Sequence, residues 1–401
     1  MNRRSFLRES SLVTGGLFLC PNSSESMLWA GLTEPCSEIR IETPIHGAIL
    51  NWRQGEKVSG GLKIKVEGVA PMNRRIMVNG VTALRDHTRF TAEIVLRDRE
   101  TTITAASDDY TGLNTHSIRV LWDKNSVPRY GFNIDDNIFF LRDIARKRYA
   151  SLFDCFYLEG LRKLHREYGT KFQLNLYYSD GLEYTDEKEF TLWDFPDRYK
   201  GEWRDNSDWL KLAFHAYANK PDRPYQNAAP EKMIADYDLV TEQIIRFAGE
   251  ETYGIMNNIH WDLNPSAFKP LAEKGVRVLG AYFVKTQKGW DIHLGLDDTR
   301  SQYLSTHDML KDFDSGIVLC KNDLICNSTP LDQIVPTLES LASDPNTAEI
   351  MDILTHEQYF WPFYDNYLPD HFQRLERAIS WLTEHDYQPV LWNDGFMGVP
   401  I

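Results

Sequence analysis

Between residues 38 and 123 apolar and polar side chains alternate in short runs. Leu62, Ile64 and Val66 alternate with Lys63, Lys65 and Glu67, the period of a half-buried strand. Phe90, Ala92, Ile94 and Leu96 repeat the pattern, followed by Ile103 and Ala105, then Ile118, Val120 and Trp122. Gly60-Gly61, Asn79-Gly80 and the stretch 108–112 supply turn chemistry between them. Short strands at this spacing predict an all-β sandwich, with Trp52 expected in its core.

From Tyr130 onward the period changes. Helical stretches are expected over 152–168, 232–248 and 371–385. They alternate with strand-like runs at 172–176, 253–256, 276–279, 316–319, 350–354 and 389–392. Such alternation is the mark of α/β architecture, and here it predicts a distorted β/α barrel. The expected strands finish in Asp135-Asp136, Tyr177-Tyr178, His215, His260-Trp261-Asp262, Tyr282 and His356-Glu357. In a β/α barrel the C-terminal strand ends share one mouth, where chemistry is carried.

Composition narrows the partners. The 401 residues carry 58 Asp and Glu against 44 Lys and Arg, a formal net charge of −14. Nucleic acid and anionic lipid both reward clustered cations, so neither is expected as a partner. Five scattered cysteines without a C-x-x-C pair argue against a disulfide scaffold or a four-cysteine zinc site. Cys320 and Cys326 are close enough in sequence for one bridge, but are expected as buried thiols.

The N-terminus reads as an address. Arg3-Arg4 followed by Phe6-Leu7 and a weakly apolar stretch over 11–19 resembles a twin-arginine export signal. Residues 1–35 are therefore expected to be signal and linker, and the protein periplasmic or extracellular. The apolar run is too short for a permanent bilayer anchor, and no later stretch is long enough. Oligomeric state leaves no trace in the sequence.

The segment 38–123, with Thr43-Pro44-Ile45-His46-Gly47, Val78-Asn79-Gly80 and Ala105-Ala106-Ser107-Asp108, resembles a bacterial immunoglobulin-like module. Three later segments occur in a telling order: Phe132-Asn133-Ile134-Asp135-Asp136-Asn137, then Phe214-His215-Ala216-Tyr217-Ala218-Asn219, then Leu354-Thr355-His356-Glu357. Over residues 128–401 this order resembles the polysaccharide deacetylase family, carbohydrate esterase family four. The resemblance implies a distorted β/α barrel that hydrolyses acetyl groups on a glycan with a divalent metal, expected to be zinc. It makes Asp135 the general base, Asp136 and His215 metal ligands, and His356 the general acid. Asn219 stands where the family has a second histidine, so its amide oxygen is the expected third ligand. Tyr178, His260 and Trp261 are expected at the substrate, with His260 able to face either substrate or metal.

The pattern is incomplete. No Arg-Pro-Pro-Tyr turn orients the base; Asn258-Ile259-His260-Trp261-Asp262 takes its place. Asn219 and the missing arginine leave open a non-catalytic carbohydrate-binding protein on an inactive barrel. A glycosidase would need a carboxylate pair such as Asp262 and Glu357. Serine or cysteine nucleophiles and nucleotide cofactors lack their motifs.

Overall fold

The computed structural model describes residues 38–107, 114–185 and 187–394. The expected export segment over 1–35, Cys36 and the 108–112 turn lie outside the described residues. Contacts divide the chain into two compact units. One gathers Lys65–Ile94, Thr102–Ile118 and the residues up to Ile45; the other holds His46–Ile64, Val95–Thr101 and everything from Arg119.

The alternating segments form two five-stranded sheets. One runs Arg40–Thr43, Gly61–Val69, Arg89–Leu96, Leu84–Asp86, with Glu56–Val58 added to Gly61–Val69. The other runs Ile49–Leu50, Thr115–Trp122, Glu100–Ser107, Ile76–Val78, Val81–Thr82. Leu62, Ile64 and Val66 are buried while Lys65 is exposed, as their alternation requires. Trp52 departs from expectation. It is 37% exposed, its indole donates to Glu349 at 3.2 Å, and the Arg53 guanidinium lies 4.5 Å from its ring. The indole nitrogen points inward to the buried Glu349 carboxylate, which leaves the rest of the ring at the surface under the guanidinium.

The α/β part is built on parallel strands in two arcs. The first runs Leu210–Ala216, Phe172–Tyr177, Arg129–Asn137, Ile350–His356, Leu324–Ile325, all parallel, with Gln388–Pro389 beside Arg129–Asn137. The second runs Met256–Asn258, Val278–Ala281, Val318–Lys321 in parallel and ends in the antiparallel strand Met309–Lys311. A single bridge between Leu212 and Tyr253 and the bond from Gly254 N to Leu212 O continue one arc toward the other. The expected barrel is thus a wall with irregular joints. Parallel strands are covered on both sides, so every residue of Arg129–Asn137 and Phe172–Tyr177 is buried.

Polarity separates the two ends of this wall. At the strand starts Met256, Val278, Val318 and Ile350 pack with Trp392 into an apolar cluster. The polar side chains collect at the C-terminal strand ends. Helices Phe139–Lys147, Phe156–Tyr168, Pro230–Phe247 and His371–Glu384 bury one apolar stripe each. None of the described helices is long and apolar enough to cross a membrane. Cys155, Cys320 and Cys326 are free and buried, as expected of the last two, and burial pushes their thiols upward.

Candidate metal centre

Two adjacent residues of a regular strand point to opposite faces. Asp135 and Asp136 escape that rule because the strand is bulged. Its register with Phe172–Tyr177 shifts between Ile134 and Asn137, and Asp136 has φ of 62°. Asn137 pins the bulge: its amide donates to Ile134 O at 2.5 Å and Asn175 O at 3.2 Å, and accepts from the Tyr157 hydroxyl at 2.8 Å. Both carboxylates consequently lie among the same buried polar groups.

Asp136, His215 and His260 bring one donor atom each within 4.8 Å of one another, all buried. His215 Nε2 is 3.1 Å from Asp136 Oδ1 and 3.2 Å from His260 Nδ1, and His260 Nδ1 is 3.5 Å from Asp136 Oδ1. A tetrahedral ion bound at about 2.0–2.1 Å would space its donors by about 3.3 Å. The three separations fit a metal.

Hydrogen bonding fixes the imidazole tautomers. His215 Nδ1 lies 2.5 Å from the Asn258 carbonyl oxygen, and His260 Nε2 lies 3.1 Å from the Asn219 carbonyl oxygen. A carbonyl only accepts, so each of these nitrogens carries the proton. His215 Nε2 and His260 Nδ1 therefore turn lone pairs toward each other and toward a carboxylate oxygen. Such a set is satisfied by a positive centre, whether a metal ion or a proton shared between His215 and Asp136. Burial alone would lower the basicity of His215, but Asp135 and Asp136 beside it raise it, the same pull a metal ion would answer.

The sequence-derived residues divide around this centre. Asp136 and His215, expected as ligands, lie together in this cluster. His260, expected at either substrate or metal, sits with them. Asn219 gives its side-chain amide to both oxygens of Glu183, at 2.8 and 2.7 Å. Its Oδ1 accepts at 3.3 Å from Tyr177, and its main-chain oxygen orients His260. Tyr177, missed as a site residue, is buried and donates to Asp136 Oδ1 while lying 3.0 Å from His260 Nδ1. Tyr178 packs its ring against Tyr217 at 5.4 Å. Trp261 is half-buried with φ of 71°, under the Arg223 guanidinium at 5.5 Å.

Asp135 is held by neutral donors. Asn175 Nδ2 donates to its Oδ1 at 2.7 Å and Asn258 Nδ2 at 3.4 Å. Gln173 Nε2 in turn donates to Asn175 Oδ1 at 2.9 Å and to Asn133 Oδ1 at 3.4 Å. Burial pushes the Asp135 carboxyl up to about 6, against the opposing pull of His215 and these amides. Gly280 makes room for the arrangement, since a Cβ there would stand 1.9 Å from Asn258 Oδ1.

His356 pairs in register with Asp135 on the neighbouring parallel strand. Its Nδ1 lies 2.9 Å from Asn327 Oδ1, an oxygen that also accepts from Thr355 at 3.2 Å. That fixes the Nδ1 proton and assigns Nε2 to any transfer. Glu357 serves differently. Its carboxylate accepts from the main-chain nitrogens of Ile138, Phe139 and Phe140 at 2.7, 2.9 and 2.6 Å, and from Trp361 Nε1 at 2.9 Å. Both oxygens are engaged, three of the four bonds capping helix Phe139–Lys147, so Glu357 serves the helix rather than half of an Asp262–Glu357 glycosidase pair. Asp262 is itself buried, accepting from Leu263 N at 2.9 Å and Gln226 at 3.2 Å.

No family model matches the chain, and no curated protein does. Among solved structures, the chain resembles a Streptococcus mutans CE4 esterase at 10% identity and a TM-score of 0.36, covering 66% of this chain and 86% of that one. The Bc1960 peptidoglycan N-acetylglucosamine deacetylase aligns at 9% identity and 0.36, over 69% and 91%. Agd3, described as a novel carbohydrate deacetylase, aligns at 7% identity and 0.39, over 81% of this chain and 64% of that chain.

Proposed function

We propose that the chain is an exported, metal-dependent hydrolase that removes acetyl groups from a glycan, working on the polysaccharide deacetylase pattern. The observation that carries the reading is the pair of tautomer-fixed imidazoles turned on Asp136, beside a second buried carboxylate. His260 supplies the second imidazole that Asn219 does not, which supports a working site over an inactive barrel. One carboxylate oxygen and two imidazole nitrogens suit zinc. Bound there, the ion would polarise an acetyl carbonyl and acidify a water.

The chain's own residues divide the proton work. Asp135, held by Asn175, accepts a proton from the attacking water. His356 Nε2 delivers a proton to the leaving nitrogen or oxygen, which departs as amine or alcohol while acetate forms. Asn175 and Gln173 keep the base aimed in place of an arginine. Export rests on Arg3-Arg4 and the weakly apolar stretch behind them, and residues 38–123 are read as an immunoglobulin-like spacer.

Elemental analysis of the purified protein tests the metal, and acetate release from acetylated oligosaccharides tests the reaction. About one zinc or similar ion per chain is expected, lost in Asp136→Ala. Absence of metal in both proteins after reconstitution would return the chain to a sugar-binding role. Asn175→Ala is expected to keep the metal and lower acetate release by about ten- to a hundredfold; unchanged turnover would remove the amides from the mechanism.

A further inference from the structure

The segment after Asp180 is bent against its residues' preferences. Gly181, Leu182 and Tyr184 have φ of 58°, 60° and 55°. For leucine and tyrosine this left-handed backbone is strained. The bend is clamped from within. Leu182 N donates to Asp180 Oδ1 at 3.1 Å, while Arg142 Nη1 bridges Asp180 Oδ2 at 2.7 Å and the Glu183 carbonyl at 2.9 Å.

The clamp sends two neighbouring side chains in different directions. Glu183 reaches Asn219, whose main-chain oxygen orients His260. Tyr184 stays 39% exposed and joins an aromatic surface. Its ring lies 6.2 Å from Phe363 at 34° and 5.4 Å from Tyr364 at 76°. Phe363 is 43% exposed and stacks on Trp361 at 5.3 Å and 29°. The Tyr184 hydroxyl is 3.5 Å from Asp365 Oδ2.

The strained loop packs Tyr184 against Phe139, Phe363 and Tyr364 yet leaves 39% of it exposed, an open edge on an aromatic surface. Aromatic faces bordered by carboxylates match a pyranose, whose axial C–H face packs on a ring while its hydroxyls reach acceptors. The Asp365 carboxylate disfavours anionic lipid, and the Arg142 guanidinium, 5.7 Å from the Phe363 ring, is paired with Asp180 at 2.7 Å. We propose that Tyr184 and Phe363 form the stacking platform of a glycan subsite on the loop that also braces the metal centre, receiving a sugar unit next to the one that carries the acetyl group. Its position relative to the acetylated unit rests on the hydrolase reading; its ability to hold a sugar does not.

Titration calorimetry of the full chain decides it, with tetrasaccharides of β-linked N-acetylglucosamine, β-linked acetylxylose and α-linked glucose as probes. At least one is expected to bind. Tyr184→Ala and Phe363→Ala should each weaken it about five- to tenfold. Tyr184→Phe should restore most of the affinity, and Trp193→Ala, which removes a 68% exposed ring elsewhere, should leave it unchanged. Equal binding by wild type and the two alanine variants overturns the platform, as does wild type binding none of the three. Platform-dependent binding without acetate release overturns the hydrolase reading alone.

Discussion

His260→Ala is expected to strip the protein of its metal. Two protein donors, Asp136 and His215, would remain where three face one another within 4.8 Å. Losing an orienting partner behind a ligand costs about ten- to a hundredfold in affinity, and losing the ligand itself should cost at least about a hundredfold. Asn219→Ala is the informative contrast. The substitution keeps the main-chain oxygen that orients His260 and removes only the amide held by Glu183 and approached by Tyr177. It should retain about one ion per chain. Elemental analysis and competition with a chromogenic chelator read both variants. Metal kept in His260→Ala and lost in Asn219→Ala would restore the ligand set expected from sequence alone.

Glu357→Ala should produce the largest loss of stability, about 3–5 kcal/mol in denaturant unfolding at neutral pH. Three main-chain N–H groups and an indole N–H converge on this buried carboxylate. Alanine leaves all four in a dry site. The charge also has a pH signature. Burial pushes the carboxyl up to about 7 from 4.5, although each of the four donors pulls it down. The folded protein therefore binds this proton more tightly than the unfolded chain does. The associated stability is full below about pH 4.5 and is lost as pH rises to about 7, on the order of 3 kcal/mol in all. Glutamine does not titrate, so wild type should lose ground to Glu357→Gln across that window. A difference between the two that stays flat with pH would show that the carboxylate is already ionised at the low end.

Much of this was written in the sequence. The change from period two to alternating helices and strands located the α/β part, and the polar strand ends located its mouth. Asp135, Asp136, His215 and His356 were legible because each ends a strong apolar strand. His260 was legible as a site residue but not as the neighbour of Asp136 and His215, since it lies just beyond the three-residue strand Met256–Asn258. Its role depends on a carbonyl 41 residues away. Tyr177 was not singled out, because the register shift between Leu176 and Tyr177 against Leu210–Ala216 has no signature in the sequence. Gln173 and Asn175 did leave a signal, as alternate polar residues inside a strand otherwise made of Phe172, Leu174 and Leu176. Glu357 looked like a catalytic acid because nothing local announces that a helix from another part of the chain begins over it.

The carbonyls behind the two imidazoles carry a consequence for how this protein can change. Every amino acid at positions 258 and 219 except a misplaced backbone would offer the same oxygen, so the restraint on His215 and His260 belongs to the path of the chain and not to any side chain. Mutation can rewrite those positions without releasing the ligands, and a search for similar letters will not find what is being held. Transplanting the centre into another scaffold would demand the opposite care: the three side chains copied without the strand end and the loop behind the imidazoles would rotate freely and bind poorly.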